Sequence, residues 1–110
     1  MKIMMALIIL LVGFDAQAAS IYMCRSSNTG NIVVADLITH NVILQDRFGN
    51  ELDVLDNVQV QATKLDTVPT KTEIILTRDE QMVFKITEED EFIIGETKED
   101  ATFLCFVILN

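Results

Sequence analysis

Val58-Gln59-Val60-Gln61-Ala62-Thr63 alternates apolar and polar residues with a period of two. In an extended chain, successive side chains point to opposite faces. Val58, Val60 and Ala62 therefore share one face, and Gln59, Gln61 and Thr63 share the other. This is the signature of a strand with one buried face and one wet face.

Working downstream, residues 64–72 hold the single proline, Pro69, and read as a loop. Residues 73–78 form the next strand, stopped by Asp79-Glu80. Met82, Phe84 and Ile86 then alternate against Val83, Lys85 and Thr87, and Glu88-Glu89-Asp90 make a charged turn. Residues 91–96 and 101–109 complete the series, with 97–100 between them. Upstream, residues 21–25, 32–38, 42–46 and 51–55 carry short apolar, β-branched runs. Gly30, His40-Asn41, Gly49-Asn50 and Asp56-Asn57 separate them. About eight short strands at near-regular spacing, with no sustained helical period, predict an all-β single antiparallel barrel or sandwich. Pairing of the first and last strands would close such a barrel and remove its exposed edges. The apolar run of residues 103–109 predicts a strand buried on both faces, or an end strand covered by a loop.

The chain has 110 residues and a net charge of −9, from 8 Lys+Arg against 17 Asp+Glu. That length supports one domain with a modest core. A polyanion of this kind is repelled by nucleic acid, so no nucleic-acid partner is expected. The same field attracts and steers cationic proteins, and it also favours solubility.

The N-terminus has a processing signature. Lys2 precedes a nearly unbroken apolar run over residues 3–14, and Ala16-Gln17-Ala18 follows. This layout predicts a secretory signal peptide over 1–18 and a single all-β domain over 19–110. The run is too short to span a bilayer comfortably, and the mature chain contains no other stretch of spanning length. Met23 before Cys24 does not suit a lipid-attachment motif, so the expectation is an exported, periplasmic or secreted bacterial protein without a lipid anchor.

Cys24 lies near the start of the mature chain and Cys105 near its end. In an oxidising compartment two such cysteines are expected to form one structural disulfide, and their separation is unlike that of a redox pair. The disulfide would place the first and last strands side by side. Tyr22 and Cys24 would share a face of the first, and Phe103, Cys105 and Val107 a face of the last.

The sequence offers little to catalysis. The lone His40 stands in a turn without a partner to orient it, and reads as a solvated loop histidine. The run Glu88-Glu89-Asp90-Glu91 lacks the ligand spacing and glycine of a calcium loop, so no metal site and no cofactor are expected. There is no glycine-rich phosphate loop. The expectation is a non-enzymatic binding protein.

Tyr22-Met23-Cys24 just after the cleavage site, a series of short strands, and Phe103-Leu104-Cys105 near the C-terminus resemble the small periplasmic inhibitors of C-type lysozyme. The resemblance implies a compact antiparallel β-barrel whose ends are joined by a disulfide, and a cationic lysozyme-type enzyme as partner. It places that family's Ser-rich, Gly-containing inhibitory loop near residues 67–72, which here contain neither Ser nor Gly. Thr67, Thr70, Lys71 and Thr72, with Glu88, Glu89, Asp90 and Glu91 at the acidic tip, are the partner-binding candidates. Two other classes remain open: a small barrel binding an apolar ligand, and an envelope structural or assembly protein.

Overall fold

The computed structural model describes residues 20–66, 70–89 and 92–110. The segment 1–18 expected to be a signal peptide, and Thr67, Asp90 and Glu91, lie outside them. Nine strands form: β1 (Ile21–Ser26), β2 (Ile32–Asp36), β3 (Asn41–Gln45), β4 (Glu51–Leu55), β5 (Gln59–Leu65), β6 (Lys71–Arg78), β7 (Gln81–Glu88), β8 (Ile93–Glu96) and β9 (Phe103–Leu109). All neighbours are antiparallel and make one curled, half-barrel sheet in the order β4-β3-β2-β1-β9-β8-β7-β6-β5. The fold is all-β, as the alternation predicts. No described helix is long and apolar enough to cross a membrane.

The turns are built from residues that bond their own backbone. Asp46 Oδ1 accepts N–H bonds from Phe48 and Asn50, each at 2.9 Å, around Gly49 at φ 87°. Asp36 Oδ1 caps the β2–β3 turn in the same way, accepting from Ile38 N–H at 2.9 Å. Between β1 and β2, Gly30 takes φ 81°, a left-handed conformation that favours glycine.

β1 and β9 meet as expected. Cys24 lies directly opposite Cys105, and Tyr22 opposite Val107. The two cysteines are bonded, with Cα atoms 3.9 Å apart and a sequence separation of 81. The inward faces predicted for the two strands thus merge into one. Tyr22, Cys24, Val33, Ala35, Val42, Ile74, Leu76, Phe84, Ile86, Phe103 and Cys105 line the concave side and are buried. Val58 joins them from just before β5, while Val60 and Ala62 pack partly buried against the cluster. Phe84 and Phe103 meet edge to face at 5.2 Å, an arrangement favoured by the ring quadrupoles.

Three expectations are corrected. The sheet does not close: β4 and β5 are its two edges. The reason is local. Val58 N–H donates to the His40 carbonyl at 3.0 Å, and the His40 ring Nδ1 lies 3.0 Å from the Val58 carbonyl. Those bonds tie Val58, on the connection from β4 to β5, to the β2–β3 turn rather than to an edge pairing of β4 with β5. His40 is therefore an exposed turn residue whose ring meets this connection.

Second, the 64–72 loop is shorter than its composition suggests. Lys64 pairs with Thr72 and Leu65 with Lys71, which extends the β5–β6 hairpin into it.

Third, β9 is not covered on both sides. Leu104, Phe106 and Ile108 are all more than half exposed. β9 occupies the middle of the strand order, and the pleat sends Phe103 and Cys105 inward and these residues onto the convex side. Phe106 there continues a cross-strand row of Met23, Val34, Ile43 and Val54.

Candidate binding site

The partner-binding candidates come from two separate segments, and the structure brings their described parts together. β6 and β7 are neighbours, and Thr72 lies directly opposite Glu88. Lys71 Nζ is 3.5 Å from Glu89 Oε2, a pair at the rim whose side chains are 40% and 18% exposed. Partly exposed ion pairs of this kind contribute little stability. Thr70 sits just before β6 and is exposed. Thr67, Asp90 and Glu91 lie outside the described residues.

Glu88 closes β7 with its side chain on the inner face, following Phe84 and Ile86 by the period of two. Its Oε1 accepts a hydrogen bond from the Tyr22 hydroxyl at 3.3 Å, across the concavity. Burial raises the carboxyl above its ordinary range, and the Tyr22 bond offsets only part of that. The site thus holds a desolvated acidic group, for which an incoming cation is a natural counter-charge.

Beside these carboxylates, between the end of β7 and the middle of β9, lies a cleft of about 580 Å³. Glu88 and Glu89 line it on one side; Leu104, Cys105, Phe106 and Val107 line the other, with Phe92 and Ile93 between. Sequence reasoning named the two carboxylates but missed the β9 wall and Tyr22. The signal was present: residues 103–109 are apolar at both parities, which can mark either a doubly buried strand or one that presents a face to a partner.

At the opposite end of β1, a hydroxyl and carboxylate cluster serves the fold. Ser26 Oγ donates to Asp100 Oδ2 at 2.6 Å and accepts the N–H groups of Asn28 and Thr29 at 3.0 and 3.1 Å. Thr102 Oγ1 also donates to Asp100. The Ser26 hydroxyl, with help from Thr102, holds the Asp100 carboxyl below its ordinary range. This cluster welds the β1–β2 turn to the β8–β9 connection. A smaller hollow of about 280 Å³ lies alongside, walled by Val33, Leu44, Leu52 and Phe103. Among the described residues, no three His, Cys, Asp or Glu gather in a way that could hold a metal ion.

The site is thus a cleft with an acidic wall and an apolar strand wall. No family model, curated protein or solved structure matches the chain.

Proposed function

We propose that this is an exported, non-enzymatic binding protein that engages a cationic protein partner, with a lysozyme-type enzyme as the first case to test. The observation that carries the reading is the juxtaposition of Glu88 and Glu89 with an open cleft, in a chain of net charge −9. Export to a bacterial periplasm is supported by the apolar run and Ala16-Gln17-Ala18, and a Cys24–Cys105 disulfide suits that compartment.

The test is titration of several cationic lysozymes with residues 19–110 at about 0.15 M salt, where adventitious attraction between unlike net charges is screened. Stoichiometric inhibition that survives this salt is the expected outcome. It should weaken in the Glu88/Glu89/Asp90/Glu91→Ala variant. Absence of salt-resistant binding to any cationic enzyme defeats the proposal.

One observation favours a second reading, an envelope assembly protein. The convex row Val54, Ile43, Val34, Met23 and Phe106 is apolar across five neighbouring strands. A contiguous apolar face can mark an association surface. Sedimentation at native pH distinguishes the two, because an assembly protein sediments as large oligomers.

A further inference from the structure

Among the described residues β8 pairs with β9 at only two positions, Ile94 with Leu104 and Gly95 with Phe103. β9 runs on to Leu109. The direction of its backbone groups follows from the other side of the strand. Ser27 N–H donates to the Thr102 carbonyl at 3.1 Å. In an antiparallel ladder, alternate residues address opposite neighbours. Thr102, Leu104 and Phe106 therefore turn their N–H and C=O groups toward β1. Phe103, Cys105 and Val107 turn theirs the other way. Phe103 meets β8, and the Ile94–Leu104 bridge engages the Cys105 N–H as well, so the Cys105 carbonyl and Val107 lie beyond the β8 ladder, where both residues line the cleft.

The cleft follows the strand's edge, not one of its faces. Leu104 and Phe106 belong to the convex side and Cys105 and Val107 to the concave side, yet all four line it. An open strand edge is a template for another extended chain, where main-chain bonds give affinity and alternate side chains give selectivity. Charge complementarity then selects the occupant. The wall facing this edge carries Glu88 and Glu89, and the chain as a whole is strongly acidic.

We infer that the β9 edge from the Cys105 carbonyl to Val107 takes an extended segment of the cationic partner as an added strand, with a Lys or Arg of that segment set against Glu88 and Glu89. Alternate apolar residues of the segment rest on Leu104 and Phe106. This rests on the binding role proposed above and names how that site holds its partner.

The probe is a short alternating Lys-Val peptide, compared with the same peptide N-methylated at alternate amides, which keeps its charge but cannot extend a ladder. At about 0.15 M salt, the unmodified peptide should bind and slow hydrogen exchange at the Val107 amide. N-methylation should weaken it about tenfold or more. Equal binding of the two peptides, or unchanged exchange at that amide, overturns the inference.

A second arm uses Val107→Pro, which removes a donor that points away from β1 and so spares the β1–β9 ladder. Loss of cationic-enzyme binding in this variant, with its fold intact by circular dichroism, supports the edge. Undiminished enzyme binding defeats strand addition but leaves the binding role standing. If no cationic enzyme binds the wild type yet the peptide adds to β9, the binding role falls and the edge site stands.

Discussion

At Asp79 and Glu80 the backbone takes φ 54° and 65°. Two successive residues of this kind form the tight loop joining β6 to β7, where Arg78 pairs with Gln81. A two-residue hairpin needs this geometry because its twist matches that of the strands, and Asn-Gly or Asp-Gly adopts it best. Glu80 has a Cβ that crowds its own backbone there. Glu80→Gly should therefore stabilise the protein by about 0.5–1 kcal/mol, read as a raised midpoint in urea at unchanged slope. Gly95 is the converse. A Cβ at that position would lie 2.4 Å from Phe84 Cζ and 3.0 Å from Cys105 Sγ. Phe84 is fixed by its contact with Phe103 and cannot withdraw. Gly95→Ala should cost about 1–3 kcal/mol of stability, in the range of an overpacked core. Neither requirement is visible in the sequence. Asp79-Glu80 reads only as a polar break, and a glycine inside a strand does not say which ring lies over it.

The elements were largely legible, because each strand writes its own alternation. Val58 to Thr63 and Met82 to Thr87 show which side chains face in before any partner is known, and the structure buries Phe84 and Ile86 accordingly. What escaped depends on neighbours. The register Lys64–Thr72 is polar, so nothing in its composition marks it as a ladder. The openness of β9 depends on where β8 stops, which its own residues do not encode. The contact of Tyr22 with Glu88 crosses the concavity between strands that are not adjacent. That contact makes a prediction at the end of β7. Burial raises the Glu88 carboxyl above its unfolded value, so the folded state binds the extra proton. Its contribution is fully present below the ordinary carboxylate range and is lost as pH rises through the raised value. Glu88→Gln keeps a partner for Tyr22 and carries no charge. It should melt higher than wild type at neutral pH, with the difference vanishing as the pH falls below the carboxylate range. A thermal series across pH checks the sign; a lower melting temperature for the variant at neutral pH would contradict it. Asp100 acts in the opposite sense. Its lowered carboxyl supports the fold above the ordinary range and loses that support on acidification.

For the molecule as a whole, one covalent bond joins the two meanders, β1–β4 and β5–β9, across the β1–β9 seam. Closing a loop of 81 residues is worth roughly 4–5 kcal/mol on chain-entropy grounds, a large part of the total stability of a domain this size. Cys24→Ser should lower the melting temperature substantially while leaving a β-rich circular dichroism spectrum. An unchanged melting temperature would show that the seam is held by its ladder alone. The closed barrel anticipated from the strand spacing required β4 to reach β5. Instead the Val58 N–H bonds the His40 carbonyl and the His40 ring meets the Val58 carbonyl, a pairing of a turn with a connection that no alternation in the sequence marks.

The position of β9 also dictates when the fold can form. It is the last strand in the chain and the central one in the sheet, with four strands on either side. Neither meander can be joined to the other until β9 is available, and pairings between distant parts of a chain are slow to form. A ribosome that still holds β9 therefore keeps the eight strands before it as two separate halves.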